Sequence, residues 1–354
     1  MDVNNLIDLY NDGLLTSFGQ VTATGLSAMT GGEVSHDKFT RLLASGRIDE
    51  QHLWKKAKPL CHETTSDEVV LIIDDSIEAK PYTDENELIC WHYDHCSGRH
   101  VKGVNFLSGL YYSQGIGVPV AVEFVTKPIK TTSAKGKPVR KSRTSKNELF
   151  RKVVGHGLQN ISFSYVLADS WFGNSANMDF VDTNNGKFIF AIKSNRKVAL
   201  SKQDKEEGRF VSIKDLGLEG RSMVVWVKQL DFPVAVTSQV FKNGDDTAAL
   251  YLASNDLELS NGQMTAIYQK RWKVEEFYKS IKSNTAFAGS PTRRVTTQKS
   301  HFIASMVAFN YFELLKIRKD ESHFAMKNYL RIAAMKSARE KLHQLLTPNL
   351  QNAT

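Results

Sequence analysis

Two short runs constrain this chain more than any other feature. Val69-Val70-Leu71-Ile72-Ile73 is wholly apolar and mostly β-branched, and Ser164-Tyr165-Val166-Leu167-Ala168 has a similar pattern. Both read as strands buried on both faces of a sheet. Each is followed at once by acid: Asp74-Asp75 after the first and Asp169 after the second. A carboxylate in that position lies at the rim of the sheet, where ligands of open sheets gather. One such Asp reads equally well as a turn former. Two, each after a buried-type strand, point to a shared metal site.

Around these runs the pattern alternates. Residues 88–94, 101–112 and 118–126 read as further strands, the last two joined by Ser113-Gln114-Gly115. A helix is predicted over about 145–158 and a short one near 174–184, before the strand Lys187–Ile192. Met223–Val227, Val234–Phe241 and Ala248–Ala253 are strand-like, with Asn243-Gly244 as a hairpin-type turn. Helical pattern returns at about 260. Residues 1 to about 65 are also helical in pattern. There Thr22–Met29, a glycine turn and Ser35–Leu43 fit a helix-turn-helix or a plain helical hairpin, and the sequence leaves both open. The expected division is a helical region over 1–65 and a first segment of alternating strands and helices over 66–194. A β-rich insertion over 195–256, a closing segment over 257–320 and a helical tail over 321–354 follow.

Charge narrows the partner. The 354 residues carry 46 Lys+Arg against 38 Asp+Glu, a net +8, which favours nucleic acid or an acidic membrane surface. No apolar run approaches the roughly 18–20 residues a bilayer crossing needs. Met1-Asp2-Val3-Asn4-Asn5 lacks the order of a signal peptide, and three cysteines make a disulfide framework unexpected. A cytoplasmic protein with no membrane partner is therefore expected. Lys127, Lys130, Lys135, Lys137, Arg140, Lys141, Arg143 and Lys146 fall in one acid-free stretch, read as a mobile loop that either contacts phosphates or is simply solvated. Arg293-Arg294 could add further phosphate contacts. Cys90-x-His92-x-Asp94-His95-Cys96 collects metal-ligand types, but its spacing suits a polar hairpin end better than zinc.

The helix predicted over 268–282 carries the strongest pattern. At 100° per residue, Tyr268, Arg271, Glu275 and Lys282 share an arc of about 60°. By itself this fits a solvated face with an i,i+4 ion pair between Arg271 and Glu275. The spacing Tyr268-x2-Arg271-x3-Glu275-x6-Lys282, however, resembles the YREK signature of bacterial insertion-sequence transposases of the DDE type. Ile73-Asp74-Asp75-Ser76 and Ala168-Asp169-Ser170-Trp171-Phe172-Gly173 resemble the same family, and the likeness spans roughly 69–315. Asp169 follows Asp75 by 94 positions, and Glu275 follows Asp169 by 106. The second gap is similar to that of members with a β-rich insertion.

The resemblance implies an α/β, ribonuclease H-like fold: a mixed sheet with flanking helices, a helical N-terminal region and a β-rich insertion before the last catalytic helix. Asp75, Asp169 and Glu275 would then be catalytic and metal-binding carboxylates, holding two Mg²⁺ ions, with Mn²⁺ as substitute. Asp74 competes with Asp75, since successive strand residues face opposite ways; the family's Ser or Thr after the catalytic Asp favours Asp75, which precedes Ser76. Tyr268, Arg271 and Lys282 would grip phosphates near the transposon end. Trp272 and Trp226 are candidates to hold a flipped base, although Trp226 also fits the core of the insertion. Implied partners are double-stranded DNA with terminal inverted repeats, target DNA and further copies of the chain in a dimer or larger assembly. The implied location is cytoplasmic and nucleoid-associated. The rivals are a ribonuclease H-like endonuclease without strand transfer and a transposase-derived DNA-binding protein.

Overall fold

The structure is a computed structural model describing residues 2–95, 97–134, 136–243 and 246–346. Cys96, Lys135 and Gly244, all singled out above, lie outside the described residues. In chain order α1 (Val3–Thr16), α2 (Ala23–Met29), α3 (His36–Ala44) and α4 (Glu50–Glu63) come first. A meander of β1 (Val70–Ala79), β2 (Ile89–Asp94), β3 (Arg99–Ser113) and β4 (Ile116–Phe124) follows, then a small hairpin, β5 (Ile129–Thr132) and β6 (Pro138–Lys141). Next come α5 (Lys146–Asn160), β7 (Tyr165–Ala168), α6 (Ser175–Thr183) and β8 (Phe188–Ile192). β9 (Lys197–Ala199), α7 (Lys202–Glu206), β10 (Val211–Ser212), β11 (Ser222–Val227), β12 (Pro233–Asn243) and β13 (Asp246–Ser254) continue. The chain closes with α8 (Asn261–Gln269), a 3₁₀ turn at Lys270–Trp272, α9 (Lys273–Asn284), α10 (Val295–Lys319) and α11 (His323–Leu346). Two compact units result, Leu53–Tyr278 and Met1–His52 with Lys279–Thr354.

The larger unit is built on one mixed sheet. At its centre the order is β4–β3–β1–β7–β8, with β3 antiparallel to β1 and with β7 and β8 parallel to it. This is the ribonuclease H-like arrangement, an antiparallel meander followed by parallel strands reached through helical crossovers. Burial explains it. Val70–Ile73 and all of β8 are buried, so neither strand tolerates a solvent face. Helix α5 covers one side through Leu149, Phe150, Val153 and Val154, with Phe150 stacked on Phe172 at 5.0 Å. Glycine permits that closeness: a Cβ at Gly157 would lie 2.4 Å from a Leu71 methyl. One at Gly109 would lie 2.7 Å from Val153, with Ile73 beside it. Leu71 and Ile73 therefore face α5.

Two local expectations need correction. β1 does not end at its aspartates but runs on to Ala79, because β3 is long enough to pair it from Val70↔Tyr112 to Ala79↔Gly103. The basic stretch is not simply a loop. Ile129–Thr132 and Pro138–Lys141 form a ladder, with Pro138 at a strand's first position, where its missing N–H is tolerated. The β-rich insertion makes no separate sheet: β13 pairs with β8, so β9 to β13 extend the main sheet. The predicted β3–β4 turn is tight, with Gln114 and Gly115 at φ 49° and 82°, the left-handed pair that a two-residue hairpin loop requires.

The smaller unit is helical. Leu14, Phe39 and Phe302 are buried there, Phe287 meets Phe302 edge-on at 4.3 Å, and Tyr10 shares a 2.7 Å hydrogen bond with His301. Residues 302–309 of α10 are buried on every side, so this helix lacks the polar stripe of a surface helix. α2 and α3 flank a turn in which Gly31 and Gly32 adopt φ of 64° and 86°. Among the described residues no helix is long and apolar enough to cross a membrane.

Candidate active site

The parallel ladder between β1 and β7 stops at Ile73↔Ala168, whereas β3 continues to pair β1 on its other side. Beyond Ile73 the β7 side of β1 opens into a notch, and Asp74, Asp75 and Asp169 all stand at it. Strand alternation sends the first two to opposite faces. Asp75 shares the α5 face of Leu71 and Ile73; it accepts from Lys146 Nζ at 2.6 Å and from Asn105 Nδ2 at 3.2 Å. Asp74 faces the other way and meets the Arg271 guanidinium at 3.3 Å. The Asp74 carbonyl accepts from the Tyr278 hydroxyl at 2.7 Å, and Ser108 lies 2.9 Å from the same hydroxyl.

Asp169 is fixed by its own loop. Its Oδ1 accepts from the backbone N–H of Trp171 at 3.0 Å and of Phe172 at 3.2 Å, an Asx-type turn. The following Gly173 passes so close to β8 that a Cβ would lie 2.0 Å from the Ala191 carbonyl oxygen. The Tyr268 hydroxyl donates to the Ala168 carbonyl at 3.3 Å, tying α8 to the end of β7.

The helix bearing the four-residue signature is broken where the wheel assumed it continuous. A 3₁₀ turn at Lys270–Trp272 separates α8 from α9, so Tyr268, Arg271 and Glu275 lie on three successive pieces. Arg271 reaches Glu275 Oε1 at 3.9 Å with the same Nη1 that meets Asp74. The Asp74 and Glu275 carboxylate oxygens are thus at most about 7 Å apart. Glu275 is 44% exposed at its side chain and sits in the first turn of α9, where a helix favours negative charge.

The acids repel one another. Burial and the neighbouring Asp169 push the Asp74 carboxyl up to about 7, against the pull of Arg271. Burial raises Asp169, with a further rise from Asp75, while the Phe172 and Trp171 amides and Arg271 lower it. Burial works against the charge of Arg271, but Tyr268, Asp74, Glu275 and Asp169 outweigh it and raise its pKa. Among the described residues no three His, Cys, Asp or Glu side chains stand together as a metal-holding group. The donor chemistry of Asp74, Asp75, Asp169 and Glu275 nevertheless suits a hard divalent cation, since all four offer carboxylate oxygens, and Arg271 and Lys146 meet part of their negative charge here.

The other expected contacts separate. Tyr268 is only 7% exposed, and its hydroxyl donates to the Ala168 carbonyl. Trp272 is 62% exposed, whereas Trp226 is half-buried with the Lys205 ammonium 5.7 Å from its ring centre. Lys137, Lys141 and Arg143 are exposed, but Arg140 is held by Glu85 at 3.0 Å. Lys282, Arg293 and Arg294 belong to the smaller unit, the two arginines exposed just ahead of and at the N-cap of α10. Cys90 and His92 are buried, 3.3 Å apart, while Asp94 holds Ser97 instead. Sequence reasoning placed neither Asn105 nor Lys146 in the site, and it missed the pairing of Arg271 with Asp74. All three contacts join distant segments, and no local periodicity marks them.

Two family descriptions match the chain: "DDE superfamily endonuclease" over residues 3–209 and "Transposase DDE domain" over residues 123–312. No curated protein matches it.

Proposed function

Because this chain belongs to the DDE superfamily of endonucleases and transposases, we propose that it is an insertion-sequence transposase of the YREK type. In this reading it cuts DNA at transposon ends and joins them to target DNA. The observation that carries it is the notch at the end of the β1–β7 ladder, where Arg271 spans Asp74 and Glu275 beside Asp169.

Asp75, Asp169 and Glu275 would hold two Mg²⁺ ions, or Mn²⁺ in their place. Divalent cations bound there supply stabilisation of the attacking and leaving oxygens of an in-line displacement. Water attacks the phosphodiester and the P–O3′ bond breaks, freeing a 3′-OH. That 3′-OH then attacks a target phosphodiester, forming one P–O bond as another breaks. Asp75 and Asp169 are oriented for this by Asn105 and by the Asx turn, which leave each carboxylate with free lone pairs. Asp74 acts differently. Partly buried and bound to Arg271, it fixes the 3₁₀ turn that presents Glu275. Lys282, Arg293 and Arg294 supply phosphate contacts, and the exposed Trp272 offers a stacking surface. Two ends must be brought together, so the active form is a dimer or larger assembly on DNA. Residues 22–43, as a helix-turn-helix, are proposed to read the inverted repeats.

A plasmid carrying the inverted repeats that flank the coding region tests the reading. Incubated with protein and Mg²⁺, it should yield ends cut to 3′-OH and joined products. Nicks without joining would indicate a plain endonuclease, and binding without nicks a DNA-binding descendant; either result contradicts the proposal.

A further inference from the structure

We propose that Lys146 is a positioning residue of this site: it holds Asp75 in the metal-free protein and turns to a DNA phosphate once that carboxylate binds a divalent cation. This rests on the reading of Asp75 as a metal ligand.

The geometry is specific. Lys146 Nζ lies 2.6 Å from Asp75 Oδ2, and both side chains are only about a fifth exposed, at 20% and 21%. The same ammonium is 5.4 Å from the ring centre of Trp171, whose backbone N–H donates to Asp169. One positive charge therefore sits between Asp75 and the loop that carries Asp169, a place the chemistry assigns to a cation.

Helix physics argues against a lysine there for the helix's own sake. Lys146 is the first residue of α5, whose N-terminus is closed by a capping box between Ser145 and Glu148. The dipole at that end favours negative charge, so an ammonium is unfavourable unless something else compensates it. Asp75 compensates it. Lysine also suits an exchangeable partner: its ammonium is a compact point charge on a flexible stem, unlike the rigid fork of arginine. The cations nearest in sequence, Lys141 and Arg143, are exposed. A phosphate backbone met by them would offer a released ammonium a partner of opposite charge.

The test is Mn²⁺ binding to the full-length, metal-free protein without DNA, followed by electron paramagnetic resonance. Lys146→Met and Lys146→Gln remove the competing ammonium and should bind Mn²⁺ about tenfold more tightly than the parent. Lys146→Arg keeps the charge and should bind no more tightly than the parent. With DNA ends, the two neutral variants should also lose about 0.9 from the salt-dependence slope, the equivalent of one phosphate. Tighter Mn²⁺ binding shows that the ammonium competes with the cation for Asp75, and the smaller salt slope, which a merely structural ion pair would not give, shows that it also meets a phosphate. Unchanged or weaker Mn²⁺ binding in both neutral variants, with binding lost in Asp169→Asn, would overturn the role of Lys146 alone. Parent-like Mn²⁺ binding in both Asp75→Asn and Asp169→Asn would instead remove the reading of the site on which it rests. Two neutral variants are used so that misfolding of one does not decide the matter.

Discussion

Glu275→Gln should abolish cleavage of transposon ends while leaving end binding within a few-fold of the parent. The substitution keeps the shape of the side chain and removes its charge, so whatever is lost belongs to the carboxylate. The i,i+4 pair with Arg271 is half-exposed and long at 3.9 Å, so its removal costs the fold little. Cation binding, in the proposed reading, would depend on the full set of carboxylates. A loss of three or more powers of ten in rate, roughly 4 kcal/mol in the barrier, is expected. Asp75→Asn and Asp169→Asn should behave alike. Asp74→Asn should lose less, because Asp74 acts through Arg271. Gel-resolved cleavage products, with binding measured in parallel in Ca²⁺, make the comparison. Normal cleavage by Glu275→Gln would remove it from the site, and a dead Asp74→Asn beside an active Asp75→Asn would exchange the roles of the two neighbours.

The second large effect concerns the basic hairpin. Lys130, Lys137 and Lys141 are exposed on β5, β6 and their connection, with no ion pair among the described residues. Replacing all three with glutamine should weaken end binding roughly a hundredfold or more at 0.1 M salt, and should flatten the salt slope by about 0.9 for each phosphate no longer neutralised. Non-specific DNA should lose nearly as much, because phosphates carry no sequence. Arg140 belongs to a different class. Its guanidinium is held by Glu85 and donates to the Lys127 carbonyl at 3.4 Å, so Arg140→Gln should act chiefly by loosening the hairpin. Titrations at several salt concentrations separate the two, and an unchanged slope in the triple variant would take the hairpin out of the interface.

Much of the fold was legible because burial writes itself into local composition. The run Val69–Ile73 could only be a two-sided strand, and the alternation of strand and helix through Ile192 carried the order of the central sheet. The insertion strands were legible as strands but not as an extension of the same sheet, since the pairing of β13 with β8 joins segments about 60 residues apart. The extent of β1 was hidden for a related reason. Polar Asp74, Asp75 and Ser76 read as an ending, but the long antiparallel partner keeps the strand going. In the signature helix, periodicity placed four polar residues on one arc and assumed a regular helix. The 3₁₀ turn and the burial of Tyr268 are tertiary outcomes, set by packing on the end of β7. Alternation foretold that Asp74 and Asp75 would face opposite sides. Which one meets Arg271 and which meets Lys146 depended on helices 197 and 71 residues away.

In the proposed function, three carboxylates from β1, the end of β7 and the start of α9 converge on divalent cations. Anomalous diffraction from crystals grown with Mn²⁺ and a cut transposon end tests it most directly. Manganese peaks should appear at the notch beyond Ile73, coordinated by oxygens of Asp75, Asp169 and Glu275 and roughly 3.5–4 Å apart if two ions bind. Manganese bound elsewhere, with Glu275 still turned to Arg271 and Asp75 still on Lys146, would contradict it.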